Sequence, residues 1–290
     1  MESKMTGRVY LNSPSYLPKL YGGGAVGDSL LATLYGQNGP AQGMTNPIAA
    51  LIQAQSGQTR QVALVAAEPQ VKRDLAQFVQ ALAKAKTPAD LLNNPVALKV
   101  LLTANGLGDR VSGTALAKQA LLSDPSQAHA LINRLTDTRW KSVNQTYAFA
   151  AKGLSVLRQP ATIAAITNGY AEVLWRRNLD QTTPGLSNAL DFLKRASTIA
   201  SVDQVLGDPT FRAVVTGALG IPREIAFQTL PAQEAAIMHR IDLTKFKDAT
   251  FVHQFTHRYL IAEAQRANQN ADAGGTDLSS LAARSAGLVV

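Results

Sequence analysis

Part of this 290-residue chain is written twice, and that repetition limits its fold more than any other feature. The stretch TPADLLNNPVALKVLLTANGL, residues 87–107, returns as SVDQVLGDPTFRAVVTGALGI, residues 201–221, at an offset of 114. Leu92 meets Leu206, Pro95 meets Pro209, Val100 meets Val214, Ala104 meets Ala218 and Gly106 meets Gly220. Thr87 and Ser201 match as helix caps, and so do Asn94 and Asp208. Further on, INRLTDTRWK (132–141) is similar to MHRIDLTKFK (238–247) at an offset of 106, pairing Arg139 with Lys245, Trp140 with Phe246 and Lys141 with Lys247. A repeat found early governs the reading of everything else. Its matched positions are caps, helix stops and apolar residues, so the two copies imply a shared fold unit and not a shared chemistry.

The local grammar inside each copy is helical. Thr87-Pro88 and Asn94-Pro95 place a capping side chain before a proline whose missing N–H costs nothing in a first helical turn. Gly106 follows as a C-terminal stop. In 68–86, Val71, Leu75, Phe78, Val79 and Leu82 recur at helical spacing and predict one buried face. Asp124-Pro125 predicts another helix start, carrying Leu131, Ile132 and Leu135. Residues 138–153 and 160–179 read as two more helices. No sustained two-residue alternation and no Asn-Gly or Asp-Gly hairpin signal occurs. The expected fold class is all-α: a duplicated multi-helix unit packed into one compact helical body, with flexible N-terminal and C-terminal segments. The expected divisions are a Gly/Pro-containing segment over 1–59, a first repeat over 60–159, a connecting helix and turn over 160–184, a second repeat over 185–263 and a tail over 264–290. The first 45 residues hold eight glycines and little apolar periodicity, too little to offset the entropy of ordering. Beyond Gly274-Gly275 in the tail, Thr276 or Asp277 caps a short helix with Leu278, Leu281 and Ala282 on one face.

Composition removes several function classes. The chain has no cysteine, hence no disulfide framework, thiolate zinc site or iron–sulfur cluster. No apolar run approaches the roughly 20 residues that span a bilayer. The opening residues lack the apolar core of a secretory signal peptide, so no Sec signal is expected. The net charge of +8 is unevenly placed: residues 67–180 hold fourteen basic and eight acidic side chains, whereas residues 181–263 hold eight of each. The bases are interleaved with acids and nowhere form a run of four. Nucleic-acid binding draws on a dense positive surface, so nucleic acid is not the expected partner. The densest groups are Lys72-Arg73, Arg139 with Lys141, and Arg176-Arg177. Of these, Arg139, Lys141, Arg176 and Arg177 are the candidates for gripping an acidic protein partner, because they stand beside Trp140 and Trp175. Arg176 and Arg177 also suit the negative end of the 160–179 helix.

Catalytic and cofactor motifs are missing. The run Gly22 to Gly27 matches neither the Walker nor the Rossmann glycine pattern. No Gly-x-Ser-x-Gly elbow occurs. His253 and His257 have the i, i+4 spacing of a metal-binding pair, but Gln254 stands where a zincin carries glutamate. Phe251, Val252, Phe255 and Tyr259 mark that helix as a packing face. No catalytic residue, cofactor or metal is therefore assigned.

Two copies of a short capped helix, Asn/Asp-Pro, an apolar helix and Gly-Leu/Ile, followed by Leu/Ile-x-x-x-Arg/Lys-Trp/Phe, resemble a domain-of-unknown-function family of alphaproteobacteria. Its members are commonly encoded in flagellar gene clusters, and some are labelled flagellar basal-body rod proteins. The resemblance spans about 60–262 and is best in Leu121 to Pro125, Ile132 to Trp140 and Ala213 to Ile221. It implies a non-enzymatic structural or interaction protein of the bacterial flagellum. Its partners would be flagellar components, and it would be cytoplasmic or exported as part of the flagellum. Two readings of other classes stand beside it: a cytoplasmic helical protein binding nucleic acid or another acidic partner through the basic first half, and an enzyme with a pocket between the two copies.

Overall fold

The computed structural model describes residues 46–286, with side chains through residue 270, and all regular structure among these residues is helical. The glycine-rich stretch 1–45 lies outside the described residues. Residues 46–59, expected to belong to a flexible segment, are instead ordered: Asn46 accepts hydrogen bonds from the backbone N–H groups of Ile48 and Ala49 and starts α1 (Pro47–Ala67). The apolar period of this helix is weak because it touches several elements at once, and so it was missed as a one-faced stripe.

Prolines set the helix starts. Pro47, Pro69, Pro88, Pro95, Pro160 and Pro209 each stand at the first turn of a helix. The residue before each is extended, as the proline ring requires. Thr87 completes a capping box with Asp90, and Asn94 accepts from Val96 and Ala97. These starts open α2 (Pro69–Lys84), α3 (Pro88–Asn93) and α4 (Pro95–Ala104). The second copy repeats the order with α10 (Leu186–Arg195), α11 (Val202–Gly207) and α12 (Pro209–Ala218).

The structure extends the repeat beyond the matched sequence. In the first copy α2 and α9 (Pro160–Leu179) pack on α4; in the second, α10 and α14 (Ala249–Ala286) pack on α12. Helix α9, which connects the copies in the chain, therefore closes the first unit as α14 closes the second. At the same offset of 114, Phe78 and Phe192 are both fully buried. Asp74 and Asn188 also correspond, and each bonds the tyrosine of its closing helix: the Tyr170 hydroxyl donates to Asp74 at 2.5 Å, and Asn188 Nδ2 donates to the Tyr259 hydroxyl at 3.2 Å. Both crossings depend on a glycine, placed on opposite partners. A Cβ on Gly169 of α9 would lie 2.7 Å from the Ala104 carbonyl oxygen, and one on Gly217 of α12 would lie 2.8 Å from the Tyr259 ring. Helix α1 packs against α9, α10 and α14, so it spans both copies, and the described residues form one unit.

The connection from the third to the closing helix differs between copies. In the first it holds α5 (Thr114–Leu122), α6 (Leu131–Arg134), α7 (Thr138–Tyr147) and α8 (Phe149–Lys152). In the second it holds α13 (Leu230–Met238) and 3-10 turns at Arg223–Phe227 and Leu243–Lys247. Trp140 and Phe246, matched by sequence, are both core residues.

Several local expectations fail for identifiable reasons. Asp124 opens a turn, not a helix: it binds the Ser126 N–H and hydroxyl, and the Asn133 amide holds the carbonyls of Pro125 and Gln127. The helix over 138–153 breaks at Ala148, whose φ is 46°, so it becomes α7 and α8. On α2 the buried line is Val71, Asp74, Phe78 and Leu82, while Val79 is 43% exposed. A carboxylate takes the core position because Lys99, Tyr170 and Gln70 all donate to it. Helix α14 continues through Gly274-Gly275 without a new cap at Thr276 or Asp277. Each glycine lowers helix propensity by only about 1 kcal/mol, which the long flanking run absorbs.

Candidate functional site: the charged seam between the copies

The seam begins where a glycine lets two backbones meet. Gly207 ends α11, and a Cβ there would sit 2.7 Å from the Thr136 carbonyl oxygen, in the turn that leads into α7 of the first copy. The next residue, Asp208, is fully buried. Its Oδ1 accepts from the backbone N–H groups of Thr210 at 2.9 Å and Phe211 at 3.2 Å, capping α12. Its Oδ2 accepts from Arg195 Nη1 at 2.6 Å, with Arg139 Nε 3.8 Å away.

From Asp208 a chain of alternating charges runs in both directions. Toward the first copy, Asp137 caps α7 through the Arg139 N–H at 3.1 Å and accepts from Arg139 Nε at 2.9 Å and Nη2 at 2.7 Å. Arg139 Nη1 reaches Asp109 at 3.0 Å and also donates to the Gly106 carbonyl oxygen. Arg110 closes this end on Asp109. In the other direction, Arg195 Nε donates to Asp191 at 3.0 Å, and Asp191 also accepts from Arg176 Nη1 at 2.7 Å. Glu172 lies 3.7 Å from Arg176 Nε and pairs with Lys194.

The charges stabilise one another's ionised forms. Burial pulls the Arg139 guanidinium down, but Asp137 and Asp109 outweigh it and hold the group well above the ordinary arginine value. Arg195 behaves likewise, with Asp208 and Asp191 opposing burial. Burial pushes the Asp191 carboxyl up; Arg195 and Arg176 outweigh that and keep it below the usual carboxylate range. A buried pair contributes little net stability compared with an apolar replacement, but losing one partner is costly. The arrangement is thus suited to holding two copies in one register.

The same residues line a cleft of about 560 Å³, bounded by Asn105, Thr138, Arg139, Arg176, Asp191 and Arg195. Of the four partner-binding candidates, Arg139 and Arg176 are buried in this seam with their guanidinium groups engaged by carboxylates. That placement corrects the expectation that they face a partner: a residue beside an aromatic is not thereby exposed. Arg177 is exposed, its guanidinium lying against Gly108 and lining a side cavity of about 170 Å³ with Arg139 and Arg176. Lys141 is exposed and lines neither cavity. Sequence reasoning missed Asp191, Asp208 and Arg195. The signal for Asp208 was present, since an acid stands where the first copy has Asn94, but it was read only as an equivalent cap. His253 is exposed and His257 half-buried, the latter with its pKa lowered by burial and by His253. Among the described residues no group of three metal-ligating side chains converges.

A second surface lies at α13. This helix buries only Ile237, while Leu230 and Met238 are 53% and 62% exposed and Phe227, in the preceding turn, is 89% exposed.

With this geometry established, comparison with known proteins adds three findings. A family model described as a protein of unknown function (DUF1217) matches residues 104–252, just over half of the chain, and this span holds every member of the seam from Asp109 to Asp208. No curated protein matches the chain. A crystal structure of a protein from Agrobacterium tumefaciens is similar over 77% of this chain and 96% of its own, with a TM-score of 0.63 and 20% identity, a likeness of fold.

Proposed function

The chain belongs to the DUF1217 family of proteins of unknown function, and from there we propose that it is a non-enzymatic interaction protein of the bacterial flagellum, a structural or assembly component. The observation that carries this reading is α13. A rigid helical body that leaves Phe227, Leu230 and Met238 open to water presents a surface suited to another protein, because such apolar groups gain by being covered. The seam supports the non-enzymatic part: the guanidinium groups in its cleft are held by Asp137, Asp191 and Asp208, an arrangement that serves register between the copies. The flagellar part rests on the sequence resemblance described above. No helix among the described residues is long and apolar enough to cross a membrane.

Deleting the gene tests the proposal. Swimming in soft agar and the number of assembled filaments should both fall, and reintroducing the chain should restore them. A deletion strain with normal filaments and normal swimming would reject the flagellar role.

A further inference from the structure

Beyond α13 the second copy carries a groove of about 380 Å³ whose lining includes Met238, Arg240, Asp242, Lys245, Phe251 and Arg258. Its lining is mostly polar, three cations against the single carboxylate of Asp242, with Met238 and Phe251 among its apolar side chains. Lys245 Nζ lies 5.8 Å from the centre of the Phe251 ring, and the Arg258 guanidinium 5.0 Å from that of Phe255, so each is held against an aromatic ring. Arg240 is tied through one nitrogen to the Ala236 carbonyl at the end of α13.

This basic groove is unexpected in a copy whose charges balance. The structure shows why it exists. Asp191 and Asp208 are drawn into the seam, Glu263 pairs with Arg223 and Arg266, and Asp242 and Asp248 accept from the backbone N–H groups of Thr244 and Thr250. Five of the eight acids of the second copy are engaged in this way, and Asp242 is the one carboxylate that lines the groove. Among the described residues, Arg240, Lys245 and Arg258 are left without an ion-pair partner.

We infer that this groove docks an acidic amphipathic protein segment, with an apolar side chain of the partner against Met238 and Phe251 and its carboxylates on Arg240, Lys245 and Arg258. The inference rests on the reading of the chain as an interaction protein and names the chemistry of what it would bind. Charge complementarity selects the acidic part. The apolar part follows from Met238, which is 62% exposed at the groove, while Leu230 and Phe227 are exposed at the start of and before the same helix. A nucleic acid would use the cations but leave Met238 uncovered, and three cations are few for a phosphate backbone.

The test uses the full chain and a fluorescent helical peptide with leucine on one face and glutamate on the other, followed by anisotropy at low and at high salt. The wild-type chain should bind it saturably, and more weakly as salt rises. The pair R240E and K245E should weaken binding about tenfold or more. M238S should weaken it several-fold, whereas K84E, an exposed cation on α2, should leave it unchanged. Should the charge reversals lower the thermal midpoint, Arg258→Gln and Lys245→Gln, which remove the charge without reversing it, should still weaken binding in proportion. The proposal is overturned by lack of saturable binding to the wild type, by equal binding of a peptide with serine in place of leucine, or by tighter binding of a single-stranded oligonucleotide. Failure of the groove and failure of the flagellar reading are separable. A strain carrying R240E and K245E that swims normally, where the deletion does not, would count against the groove alone; peptide binding by a protein whose deletion has no motility effect would count against the flagellum alone.

Discussion

Asn93-Asn94-Pro95 and Gly207-Asp208-Pro209 stand at the same place in two copies of one helical unit, and the surroundings give them different work. In the first copy the junction is at the surface: Asn93 is exposed and accepts from Lys118, and Asn94 is half-buried and only caps α4. In the second, the glycine admits the Thr136 carbonyl of the other copy, and the aspartate caps α12 while also holding Arg195. A cap needs one acceptor oxygen, which asparagine and aspartate both supply. A seam between copies needs close approach and charge, which glycine and aspartate supply. The duplication was thus joined to itself at a site where both copies needed a cap anyway.

The comparison can be broken most sharply at the caps. Asp208→Ala should cost about 3–5 kcal/mol in urea denaturation, because buried Arg139 and half-buried Arg195 then face a missing carboxylate. Asn94→Ala should cost only about 1 kcal/mol. Asp208→Asn, which keeps the cap without the charge, should fall between. Equal losses at the two sites would show that the seam adds nothing to the cap.

The glycine gives the next largest contrast. Gly207→Ala should cost about 1–3 kcal/mol, since the new Cβ meets backbone and not a movable side chain. Asn93→Ala at the matching place should stay within about 0.5 kcal/mol. The tyrosine clasps come third. Asp74→Ala should cost about 1.5–3 kcal/mol, as a charged acceptor shared by Tyr170, Lys99 and Gln70 is lost. Asn188→Ala, losing one neutral bond, should cost about 1 kcal/mol.

Acid gives the smallest contrast. Burial raises the Asp74 and Asp191 carboxyls, but hydrogen bonds and cations outweigh it, so both lie below the ordinary value of 3.8 in the folded protein. A lowered carboxylate adds stability that is present above the unfolded pKa and is lost as pH falls through the folded one. Stability should therefore drop below about pH 4, and Asp191→Asn should flatten that drop more than Asn94→Ala does, as read from urea midpoints across the acid range.

The fold was legible where local grammar was strong. Proline after an extended capping residue marked α3, α4 and α12, and the repeat showed that the fold unit recurs. The repeat was legible only in part because the first copy carries a longer connection before its closing helix. The offset between the copies moves from 114 at the third helix to 89 at Tyr170 and Tyr259. A fixed-offset match cannot follow that change, so α9 read as a connector. Upstream, Asp74 and Asn188 sat at the right offset but differ in charge, and they show their kinship only through the hydroxyl each one binds.

Helix starts, helix stops, the all-α class and the duplication are short-range matters: φ preferences, capping oxygens and the spacing of apolar side chains act within a few residues and can be read along the chain. The fate of each charge is different. Arg139 and Arg176 looked like surface residues, and the balanced second copy looked neutral, because a count cannot say which acid meets which base. Ion pairing and desolvation depend on distances between residues far apart in sequence. Only the packing of one copy on the other drew Asp191 and Asp208 into the seam, and left Arg240, Lys245 and Arg258 without an ion-pair partner around one groove.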